Sequence, residues 1–276
     1  MRFSLCNEAI GDRPFADQCA FAAALGYDGF ELAPYTLAED PRDITAAMVA
    51  DTKAAMDAHG LATTGLHWLL VNPIELSITT ADDALRETTL EVMKACVDLC
   101  ADLGGRALVH GSPKQRAIGP DDDRAACEAR ALEVFRAVAA QAEFRGVVYC
   151  LEPLRAQVTS YVNTLAEAAA VVDAVGSPGF RTMIDTSAAA VMEPDGVAAA
   201  IRQWIPSGHV AHIQFNDRNR RGPGQGDDKF GDILQALIDV GYTGDVALEP
   251  FIFEPTRDAC AALSIGYVKG LWETLG

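Results

Sequence analysis

Five apolar or aromatic residues run without a break into one carboxylate in the stretch Val147-Val148-Tyr149-Cys150-Leu151-Glu152. This stretch decides the fold that the sequence predicts. An uninterrupted apolar run of this length is typical of a strand buried on both faces in a parallel sheet. Two other runs end in the same way, Thr182-Met183-Ile184 at Asp185 and Val246-Ala247-Leu248 at Glu249. Buried strands that repeatedly end in an acid predict a shared polar site at the carboxyl ends of a parallel sheet.

Short apolar runs recur along the whole chain, and their number predicts the fold. Eight of them have the composition of strands, namely Phe3–Asn7, Gly29–Ala33, Thr63–Leu69, Arg106–Gly111, Val147–Glu152, Arg181–Thr186, Val210–Phe215 and Asp245–Pro250. Longer segments with helical periodicity lie between them, namely Phe15–Leu25, Ile44–Ala58, Asp83–Leu103, Asp123–Ala142, Leu165–Val175, Val197–Trp204, Gly231–Val240 and Arg257–Leu275. Strict alternation over 276 residues predicts an α/β protein with one domain, residues 1–276, folded as a single (β/α)8 TIM barrel.

The charge of the chain excludes some classes of partner. There are 39 acidic and 22 basic residues, which give a formal net charge of -17. Such a surface repels nucleic acid and anionic membranes, so we expect neither as a partner. Seven cysteines are irregularly spaced without a Cys-x-x-Cys pair. Met1-Arg2-Phe3 runs directly into a strand pattern and no stretch approaches about 18 uncharged apolar residues, so we expect neither a leader nor a membrane span. We therefore expect reduced cysteines and a cytoplasmic protein.

Four ligand-type side chains are spaced by about one strand-helix unit. Glu152, Asp185, His212 and Glu249 are separated by 33, 27 and 37 residues and fall on predicted strands five to eight. In such barrels the active site lies at the carboxyl ends of the strands, so these four groups should converge. Three carboxylates gathered there repel one another unless a cation is present. We expect one divalent ion, and this oxygen-rich set with one imidazole suits Mn²⁺, Mg²⁺ or Co²⁺.

Four motifs around these residues resemble those of the sugar phosphate isomerase/epimerase family of xylose-isomerase-like barrels, which includes D-tagatose 3-epimerase and hydroxypyruvate isomerase. The motifs are Leu151-Glu152-Pro153-Leu154, Met183-Ile184-Asp185-Thr186, His212-Ile213-Gln214-Phe215-Asn216-Asp217-Arg218 and Leu248-Glu249-Pro250-Phe251. The resemblance implies that Glu152, Asp185, His212 and Glu249 bind the metal. It implies that Glu152 and Glu249 also act as acid and base on opposite faces of the substrate, and that Arg218 contacts substrate oxygens.

The activity implied by the resemblance is isomerisation or epimerisation of a small sugar, sugar derivative or keto-polyol through a metal-stabilised enediolate. The chain departs from the ketohexose epimerases at two positions. Ala188 stands where those enzymes have a histidine, and Val158 stands where they have a glutamate. Both differences argue against a free ketohexose as the substrate.

Other polar residues are predicted near the same mouth. His67 and Trp68 follow strand three and His110 ends strand four, and each is a candidate substrate contact. For the two histidines, burial with a structural hydrogen bond is the alternative. Glu8 and Glu31 lie near the same rim. Two basic loops, Lys114-Gln115-Arg116 and Arg218-Asn219-Arg220-Arg221, would either hold an anionic group or be solvated.

Three other functions share the predicted fold. A lyase resembling inosose dehydratase or 3-dehydroshikimate dehydratase would begin with the same proton abstraction, so only its product distinguishes it. A non-catalytic sugar-binding barrel is disfavoured by the presence of both Glu152 and Glu249. A nuclease resembling endonuclease IV needs a histidine-rich cluster, which five histidines and this charge disfavour. Analogy with other barrels predicts a homodimer or homotetramer.

Overall fold

Eight parallel strands close into a barrel in the order β1 to β8 in the computed structural model, which describes residues 1–275. The strands are β1 Arg2–Cys6, β2 Gly29–Leu32, β3 Ala62–Leu66, β4 Ala107–His110, β5 Val148–Leu151, β6 Phe180–Asp185, β7 Val210–Phe215 and β8 Asp245–Leu248. The ring closes where β1 pairs with β8, with Phe3 opposite Val246 and Leu5 opposite Leu248. The predicted (β/α)8 TIM barrel is confirmed.

Nine α-helices surround this barrel within residues 1–275. They are α1 Phe15–Leu25, α2 Ala46–Asp57, α3 Asp83–Leu103, α4 Arg124–Arg145, α5 Leu165–Val175, α6 Thr186–Met192, α7 Gly196–Trp204, α8 Phe230–Asp239 and α9 Arg257–Leu275. No helix in these residues is long and apolar enough to cross a membrane. All seven cysteines are buried and free, as the sequence predicted.

At the mouth of the barrel, the sequence prediction missed one helix and extended one strand by three residues. Helix α6 was not predicted; it starts directly at Thr186, and the Asp185 side chain accepts a 2.6 Å hydrogen bond from the Ala188 amide. Strand β3 ends at Leu66 instead of Leu69, so His67 and Trp68 belong to the loop that follows. The strand prediction was therefore too long where the chain turns into the site.

The core has two layers because alternate strand residues point to opposite faces of the sheet. Ala107, Val109, Cys150 and Met183 form a small buried cluster of their own, set apart from the large core that includes their strand neighbours Leu108, Tyr149 and Ile184. We assign the small cluster to the barrel interior and the large core to the strand-helix interface. The interior cluster supports, from below, the polar side chains that emerge at the carboxyl ends of the strands.

Candidate active site

Three buried carboxylates meet at the mouth of the barrel. Glu152 follows β5, Asp185 ends β6 and Glu249 follows β8, and each offers an oxygen within 4.8 Å of the other two. The strand ladder holds two of them in register, since the Glu152 amide donates to the His110 carbonyl at 3.2 Å and the Glu249 amide donates to the Phe215 carbonyl at 3.0 Å. Three of the four predicted metal ligands are thus brought into one cluster.

Burial dominates the electrostatics of this cluster. It raises the pKa of Glu249 to about 8 and the pKa of Asp185 to about 6. The pKa of Glu152 lies well above its usual range, because burial is reinforced by the charges of Asp185 and Glu249. The atoms Asp185 Oδ2 and Glu249 Oε2 are buried without a hydrogen-bond partner. Buried, mutually repelling and unpartnered oxygens fit a divalent cation.

His212, the fourth predicted ligand, is buried on β7 beside another acid. Its Nε2 atom lies 2.5 Å from Oε2 of Glu31, which is fully buried on β2. Gln214 donates a 2.6 Å hydrogen bond to the other Glu31 oxygen. Burial alone would raise the pKa of Glu31, but His212 and His67 outweigh it and the net shift is downward. His212 remains a predicted ligand, and Glu31 is the partner that orients it in this structure.

His67 connects two acids at the edge of the cluster. Its Nδ1 atom lies 3.1 Å from Glu249 Oε1, and its Nε2 atom lies 2.9 Å from Glu8 Oε2. Burial would lower the pKa of His67, but Glu8 and Glu249 together raise it well above its usual value. Together with Cys6, these residues form a second group of possible metal ligands that shares Glu249 with the first.

A cavity of about 450 Å³ opens above the three carboxylates. His67 and Trp68, both predicted as substrate contacts, line it. Arg220, from the second predicted basic loop, lines it as well, and so does Arg155, which was not predicted as a contact. The two apolar residues at the positions that differ from ketohexose epimerases, Val158 and Ala188, also form part of the wall. The remaining wall residues are Val109, Gly111, Ser112, Pro113, Glu152, Leu154, Gln157, Asp185, Ser187, Val191, Glu249 and Phe251.

Arg218 does not line this cavity. Its Nε atom donates a 2.6 Å hydrogen bond to Asp228 Oδ1, its backbone amide donates to Asp228 Oδ2, and it is not among the wall residues. The guanidinium of Arg220 instead packs 4.5 Å from the ring centroid of Phe251, which forms part of the wall. Arg218 is paired with Asp228 in this structure, and the substrate contact implied for it stays a prediction.

His110 is also absent from the cavity wall. It is fully buried, its Nδ1 atom lies 2.7 Å from the Tyr149 hydroxyl, and its ring packs edge-on against Phe135. Burial lowers the pKa of His110 to about 3, with a smaller contribution from Arg116. The geometry favours the structural alternative for His110, with a tyrosine hydroxyl as its partner.

Arg116, in the first basic loop (Lys114-Gln115-Arg116), lies inside the protein and not in solvent. It is fully buried, and none of its guanidinium nitrogens has a hydrogen-bond partner in the described residues. Burial lowers its pKa to about 10, although Glu152 acts in the opposite direction. The alternative of a solvated loop is therefore wrong for Arg116. Charge composition alone gave no sign that this side chain would fold inward.

The family model of the xylose isomerase-like TIM barrel matches residues 19–266. D-psicose 3-epimerase of Ruminiclostridium cellulolyticum is 35% identical over 123 residues, which are 45% of this chain and 41% of that relative. L-ribulose 3-epimerase of Mesorhizobium japonicum is 28% identical over 82% of this chain and 73% of its own length. The first of these matches therefore spans less than half of the relative.

Solved structures share the fold over nearly the full chain. D-psicose 3-epimerase from Clostridium cellulolyticum H10 superposes with a TM-score of 0.82 at 22% identity, covering 98% of this chain and 99% of that one. A 3-keto-D-glucoside 4-epimerase from E. coli superposes with a TM-score of 0.83 at 20% identity, with the same coverage. At this level of identity the likeness concerns the fold alone. From the family match over residues 19–266, the chain belongs to the xylose isomerase-like TIM barrel family.

Proposed function

We propose that this protein is a divalent-metal-dependent ketose epimerase or isomerase, acting on the carbon beside a sugar carbonyl. The observation that carries the proposal is the buried cluster of Glu152, Asp185 and Glu249 at the floor of a cavity of about 450 Å³. This volume lies in the range of about 300–1,000 Å³ that is usual for small-molecule sites. The matched relatives named D-psicose 3-epimerase and L-ribulose 3-epimerase support the same class of reaction.

Glu152 and Glu249 are the proposed acid and base. They follow β5 and β8, two strands that are separated around the barrel by β6 and β7. One carboxylate removes the proton from the carbon beside the carbonyl, and the other returns a proton to the opposite face. Both carboxyls are buried at the floor of the cavity, within reach of a substrate held there.

The remaining residues hold this pair and the substrate. Asp185 and His212 complete the proposed ligand set, and Mn²⁺, Mg²⁺ or Co²⁺ held there would polarise the sugar oxygens. His67 lies between Glu249 and Glu8 and restricts the position of the Glu249 carboxylate. The indole of Trp68 offers a face for the sugar C–H groups, and Arg220 offers hydrogen-bond donors.

The test is identification of the product with and without metal. Protein stripped with a chelator and protein reloaded with Mn²⁺ are incubated with D-psicose, D-fructose, L-ribulose and hydroxypyruvate, and the products are identified by NMR. We expect about one ion per chain, a new isomer from at least one substrate with metal, and none after stripping.

Two other outcomes contradict the proposal. A dehydrated sugar would identify a lyase, because the common first proton abstraction would then be followed by loss of a β-hydroxyl. A metal-loaded protein that binds ketoses and leaves them unchanged would be a sugar-binding barrel.

A further inference from the structure

A second cavity, of about 530 Å³, lies beside the first and is not used by the proposed reaction. It is formed mainly by loops that follow β1, β2 and β8, with Trp68 from the loop after β3 and Gln18 and Arg257 from helices α1 and α9. Four of its wall residues are aromatic, namely Tyr35, Trp68, Phe251 and Phe253. Its volume is comparable to that of the first cavity, so it has room for another sugar-sized group.

The two cavities share a wall made of Trp68 and Phe251. The two rings meet edge to face with centroids 6.1 Å apart. The backbone of Trp68 has a φ of 52°, in the left-handed region that bulky residues rarely adopt. Such a conformation costs on the order of 1–3 kcal/mol and persists where the surroundings impose it, often at ligand sites. Trp68 and Phe251 thus line both cavities where these adjoin.

The charged groups of the second cavity favour a neutral ligand. Arg13 pairs with Asp258 and donates to the Ile10 carbonyl, so its charge is already satisfied. Arg257 donates a 2.9 Å hydrogen bond to the Glu8 carbonyl, and its guanidinium carbon lies 3.9 Å from the Phe253 ring centroid. Arg257 keeps its charge, but the acids Glu8 and Asp12 in the same wall offset it, so the cavity has no excess of positive charge to hold an anion.

The acids of the same cavity supply acceptors for hydroxyl groups. Asp12 and Glu8 both line it, and the Glu8 carboxylate lies 2.9 Å from His67 Nε2. His67 in turn contacts Glu249, so a single imidazole separates the second cavity from a proposed catalytic carboxylate. Aromatic faces together with carboxylate acceptors are the chemistry that binds a neutral sugar ring.

We propose that this second cavity is a subsite for a neutral glycosyl unit, and that the preferred substrate is a two-ring sugar with its keto unit over the three carboxylates. The inference rests on the proposed function for the identity of the keto unit. Tyr35, Phe253 and Asp12 hold the second ring, and Trp68 with Phe251 contacts both rings at the shared rim.

Binding of disaccharides to the metal-loaded protein tests this subsite. Calorimetry compares D-fructose with isomaltulose and lactulose, two disaccharides that carry a second ring on different oxygens of a ketose. We expect at least one disaccharide to bind about tenfold more tightly than D-fructose. Tyr35→Ala should reduce that preference about fivefold, because it removes one aromatic wall, and Asp12→Asn should reduce it through a lost charged acceptor. Phe144→Ala removes an exposed aromatic on α4 and serves as the matched control.

The outcomes separate the subsite from the catalytic proposal, because binding and turnover are measured independently. Disaccharide binding that depends on Tyr35 supports the subsite, whether or not the ketose is turned over. If D-fructose is epimerised but neither disaccharide binds more tightly than D-fructose, the subsite is overturned and the proposed reaction stands. The subsite is also overturned if the preference for a disaccharide over D-fructose persists in Tyr35→Ala and Asp12→Asn as it does in the control Phe144→Ala. Melting temperatures of the variants establish that each is folded.

Discussion

At the scale of single residues, the neighbours of a buried carboxyl decide the direction in which its pKa shifts. Glu249 is buried among acids and near His67, and its pKa is about 8. Glu31 is equally buried, but two histidines outweigh the effect of burial and the pKa of Glu31 falls below its ordinary value. We infer that Glu31 serves as a charged anchor for His212, whereas the buried charge of Glu249 needs a proton or a bound cation to stabilise it.

His110 gives a pH-dependent contribution to stability. Its pKa is about 3 in the folded protein, compared with about 6.5 in an unfolded chain. Because the folded state favours neutral His110, this contribution is complete above pH 6.5 and is lost as the pH falls from about 6.5 toward 3. Between pH 7 and pH 4.5, the free energy of unfolding of the wild type should fall by about 2 kcal/mol more than that of His110→Gln. Urea denaturation at the two pH values measures both proteins.

The matched control is His59→Gln, which changes an exposed histidine. It should keep the pH dependence of the wild type. Equal losses of stability in wild type and His110→Gln between the two pH values would contradict the burial of a neutral imidazole.

The sequence predicted that the acids at the ends of buried strands lie close together. Glu152, Asp185 and Glu249 were found because each interrupts an apolar run, and the fold places the ends of such runs together. Glu31 was assigned only to the rim, because one acid within a short strand carries no sign of its partner His212 on β7. The choice between Arg218 and Arg220 depends on Asp228, ten residues beyond Arg218, which no local pattern connects to it.

At the scale of elements, helix ends were predicted well where the caps are local. Helix α5 begins with Thr164 as its N-cap, and Glu167 completes a capping box by accepting from the Thr164 amide. Helix α6 was missed because seven residues are too few to show helical periodicity. It begins at the point where the apolar run of β6 ends, and its cap is Asp185, which the motif had assigned to a metal.

The α5 cap provides a test at this scale. Thr164→Ala removes the acceptor for the Glu167 amide and should lower the free energy of unfolding by about 1 kcal/mol. Thr88→Ala, within α3, is the control, because its hydroxyl bonds to the Ala84 carbonyl of the same helix and should be nearly neutral. Urea denaturation measures both variants. A loss in Thr164→Ala no greater than in Thr88→Ala would contradict the capping role.

At the scale of the whole molecule, the count of strand-helix units predicted the barrel, since eight consecutive units can close into a ring. The fold brings acids from β5, β6 and β8 within 4.8 Å, although more than 90 residues separate Glu152 from Glu249 in the chain. The sequence did not predict the second cavity. It depends on the placement of loops after β1, β2 and β8, and Trp68 contributes through a backbone conformation that its sequence context does not indicate.

Solvent exchange tests the central claim most directly, namely that Glu152 and Glu249 move a proton at the carbon beside a sugar carbonyl. The wild type, Glu152→Gln, Glu249→Gln and the exposed control Glu133→Gln are loaded with Mn²⁺, and the ion content of each is measured. Each is then incubated in D₂O with the ketose that the wild type converts. We predict deuterium at that carbon with wild type and Glu133→Gln, and rates at least about a hundredfold lower in the other two variants. A metal-loaded Glu152→Gln or Glu249→Gln protein that exchanges at a near-normal rate would contradict the mechanism.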